Sequence, residues 1–463
     1  MKKIAVFSIP AHGHTNPMLP VVSELIKRGN EVRFYSFNEF AEKIKGSGAE
    51  FISCDEFLSQ LTKQEENKLK KISTTEMSIQ DLRITINMNS FLEKEFAEFH
   101  PDVVYTDSVC FWGKLNAIKH NIPMVVSTST FAFNQLSSQY MKNSPAEMAD
   151  MIFGLPRISK ELKKLEPYGY KVKNVLSLVQ SDNNTDSVVY TTKRFQPYSE
   201  AFSDHYTFVG PSVYSKKLPE KKNDRPLVYI SMGTVINDRP DFYKKCIAAL
   251  KKIEADGIIS CGSTINIESL GDIPKNISVH PYVNQLDVLA KADVFITHCG
   301  MNSVSESLYM ATPMVLYPQT GEQFAVAKRT AELNAGIMLK DDSIDGICNA
   351  LSEILGKNKY SQGAAKCSED FRNASGTAGA ASFIETAPHK VSDKNIMSEI
   401  NKMNSKSQLL YWIIVIAIIV LFCIFITPKY SWIIGVTAGI ISAPIGRILQ
   451  NKAYYKLTGK STE

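Results

Sequence analysis

The feature that most constrains the fold is an alternation of apolar strands and amphipathic helices that occurs twice along the chain. In the first half, strands are predicted over residues 3–8, 31–36, 103–106 and 124–126, with helices over 18–27 and 111–120. In the second half, strands are predicted over 227–231, 257–261, 277–280, 294–297 and 314–316, with a helix from residue 241. This alternation is typical of doubly wound parallel sheets, whose ligands bind at the carboxyl ends of the strands. The sequence therefore predicts an α/β protein with two Rossmann-like domains in tandem.

The length and the breaks in this alternation predict the domain boundaries. A chain of 463 residues is longer than the roughly 250–300 residues at which a single hydrophobic core stops growing. The polar segment 211–224 interrupts the alternation and is predicted to be a linker. We therefore expect an N-terminal domain over 1–210, a C-terminal domain over 225–387 and a second polar linker over 388–407. Residues 137–185 are less regular and would suit a variable binding surface.

Composition excludes several classes of function. The net charge of +5 is spread over interleaved acidic and basic residues, which gives no indication of nucleic-acid binding. The eight cysteines include no Cys-x-x-Cys pair, so neither a zinc site nor a disulfide framework is indicated, and reduced thiols in the cytosol are expected. The sequence contains no Gly-x-Gly-x-x-Gly, which disfavours a dinucleotide-dependent redox enzyme.

The C-terminal part of the chain is predicted to form a transmembrane hairpin over residues 408–449. Residues 409–427 are apolar and uncharged, and their number is close to the ~20 residues that cross a bilayer. A second apolar run over 432–449 carries glycines at a spacing that lets a neighbouring helix approach closely. Basic residues lie on both outer flanks, so the catalytic domains and a tail over 450–463 are expected in the cytoplasm. The alternative is a buried hairpin in the core of a soluble protein.

The most specific motif is the run from Phe295 to Glu306, Phe-Ile-Thr-His-Cys-Gly-Met-Asn-Ser-Val-Ser-Glu. It puts His298 and Gly300 at the carboxyl end of a strand, and a helix is predicted to begin at Asn302. The N-terminus of a helix binds phosphate because it has unpaired N–H groups and a partial positive charge. Glu306 lies one helical turn farther on and can accept hydrogen bonds from both hydroxyls of a ribose. The motif therefore predicts a nucleotide site.

Two further motifs extend this site. Glu322 and Gln323 follow the next strand, so the site suits a nucleotide-sugar better than a bare nucleotide. The turn Ser231-Met-Gly233-Thr234 can add donors to phosphate, although this motif alone is weak. The sequence contains no Asp-x-Asp, which argues against a diphosphate held by a metal ion. We therefore expect no metal site, with the helix N-terminus, His298 and hydroxyl groups stabilising the leaving group.

A candidate general base follows the first strand, in the segment from Pro10 to His14. His14 is predicted on the turn between strand and helix, where an imidazole can take a proton from an acceptor hydroxyl. Such a base needs an acid to hold its tautomer, and Asp107, at the end of a neighbouring strand, is the best candidate. The alternatives are that both residues cap helices, or that His12 and His14 bind a metal for which no further ligand is evident.

These residues closely resemble the UDP-dependent glycosyltransferases of family 1, and most nearly their bacterial macrolide-glycosyltransferase branch. The similarity extends from Lys3 to about residue 385. It implies the GT-B fold, in which the N-terminal domain binds the acceptor and the C-terminal domain binds the nucleotide-sugar. The predicted membrane hairpin departs from this soluble bacterial branch, so its role does not follow from the resemblance.

The resemblance also implies a role for each residue of the motifs. His14 would be the base and Asp107 its partner. The donor contacts would be the Gly233 turn with Ser231 and Thr234, His298, Asn302 and Ser303 on the diphosphate, Gly300 for close approach, Glu306 on the ribose, Tyr282, Val283 and Gln285 on the uracil, and Glu322 and Gln323 on the sugar hydroxyls. Plant members usually have Trp where Tyr282 stands, so a preference for UDP over TDP is left open.

The function expected from these features is the inverting, metal-independent transfer of a hexosyl group, glucose, from a UDP-sugar. The acceptor is expected to be a hydroxyl of a lipophilic small molecule or lipid at the membrane, and no cofactor is expected because the UDP-sugar is a substrate. Two alternatives are a nucleotide-sugar epimerase of the same fold and a membrane-anchored sensor without catalytic activity.

Overall fold

The computed structural model describes residues 1–58, 73–172, 178, 183–213, 224–234, 236–389 and 450–459. Within these residues the chain forms two separate sheets in which every strand pair is parallel, as the alternation of elements predicts. Central strands such as Val103–Asp107 are buried along their whole length, which explains their continuous apolar sequence.

The first sheet has seven strands. They are β1 (Lys3–Phe7), β2 (Glu31–Ser36), β3 (Glu50–Ser53), β4 (Val103–Asp107), β5 (Met124–Thr128), β6 (Asp186–Val189) and β7 (Tyr206–Phe208). Their order is β3-β2-β1-β4-β5-β6-β7, so the direction of winding reverses between β1 and β4. In open parallel sheets the ligand crevice lies at this switch point, beyond the carboxyl ends of the strands.

The second sheet has six strands, and its direction of winding also reverses near the centre. They are β8 (Leu227–Ser231), β9 (Asp256–Ser260), β10 (Ile277–His280), β11 (Val294–Thr297), β12 (Met314–Leu316) and β13 (Gly336–Met338). Their order is β10-β9-β8-β11-β12-β13, which puts the switch point between β8 and β11. The predicted phosphate turn after β8 and the His298 motif after β11 are therefore neighbours in space.

Helices cover both sheets. In the first domain they are α1 (His12–Lys27), α2 (Ala41–Gly46), α3 (Thr74–Phe99), α4 (Phe111–Lys119) and α5 (Pro145–Lys163). In the second part of the chain they are α6 (Pro240–Lys252), α7 (Gln285–Leu289), α8 (Met301–Tyr309), α9 (Gly321–Glu332), α10 (Ile344–Gly356), α11 (Asn358–Arg372) and α12 (Gly376–Thr386).

The last of these helices, α12, crosses back to the first domain. Its buried residues Ala380, Ala381 and Ile384 share a hydrophobic cluster with residues of α1. At the edge of this contact, the guanidinium of Arg28 lies 2.9 Å from the carboxylate of Glu385. The two sheets are thus tied together by a helix that follows the second one in sequence.

The structure corrects the predicted start of the first helix. The sequence was expected to become helical near Met18, with His14 on the preceding turn, but α1 already begins at His12. Pro17, expected near the first residue of the helix, instead lies inside it. At this position the proline lacks the N–H that would bond to the carbonyl of Gly13, so that carbonyl has no helical partner.

The predicted membrane hairpin over 408–449 lies outside the residues that the structure describes, as do most of the predicted linkers 211–224 and 388–407. Among the described residues, no helix is both long enough and apolar enough to cross a bilayer. The hairpin therefore stays a prediction. The described part of the tail is helical over 450–458 and packs on the first domain.

Candidate active site

The predicted base and its partner meet at the switch point of the first sheet. His14 lies in the first turn of α1, after β1, and Asp107 is the last residue of β4, the strand beside β1. The distance from His14 Nδ1 to Asp107 Oδ2 is 2.8 Å. Asp107 is fully buried, whereas the His14 side chain keeps 27 % of its surface exposed. This geometry fixes the imidazole through Nδ1 and leaves Nε2 toward the cleft.

Two more contacts hold this pair in place. The second carboxylate oxygen of Asp107 accepts a hydrogen bond of 2.9 Å from the backbone N–H of Val109. The hydroxyl of Ser129, just beyond β5, lies 3.2 Å from His14 Nδ1. Sequence reasoning did not select Ser129, although it carries the same signal as Asp107, a polar residue directly after a buried strand.

The charges around His14 favour its protonated form. Burial alone would lower the pKa of His14. The charge of Asp107 and its hydrogen bond to the imidazole outweigh this effect and raise the pKa of His14 to about 9, with smaller contributions from the charges of Glu322 and Asp81. Burial and the charge of Asp107 raise the pKa of Asp81 well above its ordinary value. Asp81 lies on α3, and nothing in its local sequence marked it as a neighbour of the base.

The second domain contacts the first beside this base. The side-chain amide of Asn302, in the first turn of α8, lies 3.5 Å from the carbonyl oxygen of Gly13. In an uninterrupted helix that carbonyl would accept the N–H of the residue four positions later, but this residue is Pro17, which has none. Pro17 therefore keeps the Gly13 carbonyl free, and a group of the second domain reaches it next to His14.

The motif predicted to bind phosphate is closely packed at its glycines. A Cβ placed on Gly233 or on Gly300 would lie 2.5 Å from the ring of His298, so only glycine leaves room for the imidazole. Gly300 is the N-cap of α8, and Cys299 before it adopts a positive φ of 68°, a strained conformation for a residue with a side chain.

His298 is neutral at physiological pH. Its burial lowers the pKa of the imidazole to about 4. A neutral ring can still donate one N–H to a phosphate oxygen. The positive side of this site is therefore the N-terminus of α8 and not a charged histidine.

The predicted ribose and base residues lie on adjacent helices. The side-chain amide of Gln285, at the start of α7, donates a hydrogen bond of 2.7 Å to Glu306 on α8 and lies 3.4 Å from the hydroxyl of Ser303. Burial raises the pKa of Glu306. Tyr282 is 82 % exposed, so its ring is open to stack on a base, and Val283 follows it.

The turn after β8 contributes Ser231, whose buried hydroxyl accepts a hydrogen bond of 3.3 Å from the N–H of Gly233. Thr234 follows in an exposed position. Because β8 and β11 are adjacent, this turn faces the His298 motif. The structure thus brings together the segments predicted to hold the diphosphate.

The predicted sugar residues begin α9. The carbonyl oxygen of the Gln323 side chain accepts the N–H of Gln319 at 2.8 Å, which leaves its amide N–H groups for a ligand. Glu322 is exposed and close enough to His14 to raise its pKa. A Cβ placed on Gly321 would lie 2.5 Å from the Asn143 side chain, so the first domain touches the start of this helix.

Among the described residues, no group of three or more His, Cys, Asp or Glu side chains could hold a metal ion. His12, the other half of the alternative metal pair, has its Nε2 3.2 Å from the carboxylate of Glu39. Metal independence remains a prediction that requires an experiment.

The sequence of the chain is similar to those of known proteins. The profile of the family described as UDP-glucoronosyl and UDP-glucosyl transferase matches residues 216–375. The chain is 33 % identical over 396 residues to NDP-glycosyltransferase YjiC of Bacillus subtilis, covering 83 % of this chain and 97 % of that protein. It is 28 % identical to demethyllactenocin mycarosyltransferase of Streptomyces fradiae, covering 83 % of this chain and 86 % of that protein.

Solved structures share the fold. The crystal structure of the glycosyltransferase of kitacinnamycin matches with a TM-score of 0.69 at 24 % identity, covering 83 % of this chain and 98 % of that one. The two parallel sheets are thus those of a GT-B-like glycosyltransferase fold.

Proposed function

The chain belongs to the UDP-glucoronosyl and UDP-glucosyl transferase family, and we propose that it transfers a hexosyl group from a UDP-sugar to an acceptor hydroxyl. The proposed donor is UDP-glucose. The transfer inverts the anomeric carbon and uses neither a metal ion nor a cofactor, since the UDP-sugar is itself a substrate. The acceptor is a lipophilic small molecule or lipid. His14 acts as the base and Asp107 as its partner.

The observation that carries this proposal is the contact between the two halves of the cleft. Asn302, at the start of α8, reaches the carbonyl of Gly13, the residue before His14. A diphosphate bound at the N-terminus of α8 would leave the anomeric carbon between α8 and His14. An acceptor activated by His14 then attacks from the side opposite the leaving group, which inverts the configuration.

The proton and the electrons balance in one displacement. The acceptor oxygen forms a bond to the anomeric carbon while its proton moves to Nε2 of His14. The bond from the anomeric carbon to the diphosphate breaks, and its electron pair leaves with UDP. Asp107, 2.8 Å from Nδ1, fixes the tautomer and stabilises the imidazolium that forms.

The leaving group is stabilised without a cation. The first turn of α8 presents unpaired N–H groups, and neutral His298 and the hydroxyls of Ser231 and Ser303 add donors. Activity should therefore survive excess EDTA. Complete loss of activity that only Mg²⁺ or Mn²⁺ restores would contradict this mechanism.

A lipophilic acceptor is supported by the surface of α5, which begins two residues after Asn143 at the mouth of the cleft. Ile152 and Phe153 on this helix are 60 % and 80 % exposed, and Met148 and Leu155 are exposed beside them. Exposed apolar side chains at this density are typical of binding surfaces. The similarity to demethyllactenocin mycarosyltransferase, which is named for demethyllactenocin, supports a small-molecule acceptor.

The test is to incubate the full-length protein with UDP-glucose, with and without a panel of lipids and hydroxylated natural products. We expect UDP release only with an acceptor, and a β-linked product by NMR from the α-linked donor. Conversion of UDP-glucose to another UDP-hexose without an acceptor would indicate an epimerase. Binding without turnover on every acceptor would indicate a sensor, and an α-linked product would contradict inversion.

A further inference from the structure

The described part of the C-terminal tail returns to the first domain, far from it in sequence. Residues 450–458 form a helix, and its buried residues Ala453 and Tyr454 share a hydrophobic cluster with Leu136 and Ala201. We call this element the tail helix. Ala453 and Tyr454 are buried, whereas Lys452, Lys456 and Leu457 are exposed, so the tail helix is docked along one defined side.

Polar contacts fix the register of the tail helix. Asn451 and Gln139 exchange side-chain amide hydrogen bonds of 3.0 and 3.3 Å, and the hydroxyl of Tyr198 donates to Asn451 at 3.1 Å. The hydroxyl of Tyr454 donates to Glu200 at 2.5 Å, and its ring packs edge-on against Tyr198 with centroids 4.8 Å apart. Asn451 and Tyr454 thus both have complementary polar partners in the first domain, which makes this docking specific.

The same two segments of the first domain, residues 135–140 and 194–200, also touch the donor domain. The hydroxyl of Tyr140 donates to Glu332 at 2.7 Å, and Lys328 lies 4.1 Å from the centre of the Tyr140 ring. The guanidinium of Arg329 donates to the carbonyls of residues 194 and 195 at 2.6 and 3.2 Å. Both segments therefore contact the tail helix as well as α9.

Tyr140 and Tyr198 connect the two contacts directly. Their rings pack edge-on with centroids 5.9 Å apart, so Tyr198 touches the tail helix on one side and Tyr140 on the other. A continuous row of packed side chains thus extends from Tyr454 through Tyr198 and Tyr140 to Glu332 on α9.

The helix at the far end of this row is α9, whose first turn carries the residues predicted to bind the sugar. Glu322 and Gln323 lie in its first turn, next to the segment of the first domain that includes Asn143. A helix of this length moves as a rigid element, so support near Glu332 also sets where its first turn lies.

We propose that Tyr454 and Asn451 of the tail helix are positioning residues for the hexosyl donor. They brace the 135–140 and 194–200 segments, which contact α9 and hold it in its position against the first domain. The inference rests on the proposed function, because it takes Glu322 and Gln323 as the residues that bind the hexose. The nucleotide contacts lie wholly in the second domain and do not depend on the tail helix.

The test compares substitutions in the full-length chain. In Tyr454→Ala and Asn451→Ala, the KM for UDP-glucose should rise roughly 3- to 10-fold, a size typical of coupling through packed side chains. The Kd for UDP by calorimetry should be unchanged. Turnover is measured with para-nitrophenol as a water-soluble acceptor. Tyr454→Phe keeps the aromatic ring, so its KM for UDP-glucose should rise much less. Lys456→Ala changes an exposed residue of the same helix and is the matched control.

The outcomes separate this inference from the proposed function. An unchanged KM for UDP-glucose in both tail variants, with an increase in Gln323→Ala, would overturn the inference and leave the proposed function intact. Equal weakening of UDP and UDP-glucose would show a general loss of structure and would also overturn it. An unchanged KM in Gln323→Ala would instead show that the assignment of the sugar site is wrong.

Discussion

The two halves of the cleft are assembled in different ways from the sequence. In the donor half, each functional group belongs to a short contiguous segment, such as the strand, turn and helix from Val294 to Glu306. In the acceptor half, His14, Asp81, Asp107 and Ser129 come from four separate elements. Much of the donor site therefore lies within one contiguous segment, and the pairing of β8 with β11 adds the turn after β8. The acceptor site has no such segment, and its four residues meet only through the tertiary structure of the first domain.

This difference predicts that changes in one half leave the ligand of the other half in place. The largest effect is expected for the base. His14→Ala should lower kcat/KM by roughly 10²–10⁴-fold, because the acceptor hydroxyl is a poor nucleophile until it loses its proton. The Kd for UDP, measured by calorimetry, should not change, since the proposed nucleotide contacts are in the second domain.

The matched control for this change is His12→Ala, two residues away in the same helix, where the imidazole contacts Glu39. Its kcat/KM should stay within about twofold of the original, as is usual for an exposed ion pair. Near-normal turnover in His14→Ala, with an unchanged melting temperature in both variants, would remove His14 from the mechanism.

Within the donor half, binding of the nucleotide and binding of the sugar should respond to different substitutions. Glu306 accepts the amide of Gln285 and is proposed to bind the ribose, so Glu306→Ala should weaken UDP by roughly 10- to 100-fold, the loss of one or two charge-assisted hydrogen bonds. Gln323→Ala should leave the Kd for UDP unchanged and raise the KM for UDP-glucose. If calorimetry finds UDP weakened equally by both changes, the assignment of the two sites is wrong.

The same contrast explains what could be predicted from the sequence. The second domain was predictable because Ser231, His298 and Glu306 each follow a strand that is recognisable by itself, and the parallel pairing of β8 with β11 then brings them together. Asp107 was predictable for the same reason, as the polar end of an apolar strand.

Other features depend on tertiary contacts that leave no local signal. Asp81 lies in the middle of a helix, and only the packing of α3 brings it near His14. The packing of α12 on the first domain also could not be predicted from the sequence. The apolar residues of this helix would have the same spacing whichever domain they packed on. The early start of α1 is not evident from the sequence, because a proline usually indicates the first turn of a helix, whereas Pro17 lies inside α1.

The smallest expected effect concerns the acceptor half and the charge around its base. The pKa of His14 is raised to about 9, so its neutral form, and with it kcat/KM, should increase as the pH rises toward that value. When Asp81 is ionised, it contributes to the raised pKa of His14. The pKa of Asp81 is itself raised well above the ordinary value, so the two groups titrate together.

Asp81→Asn removes a negative charge that favours the imidazolium. The rising limb of the pH profile should therefore move to lower pH and become steeper, and kcat/KM on that limb should increase by about two- to fivefold at pH values where Asp81 is ionised. Glu42→Gln, which removes an exposed carboxylate elsewhere in the same domain, should leave the profile in place. A rising limb that moves to higher pH in Asp81→Asn, or that moves equally in both variants, would mean that Asp81 does not act on the base.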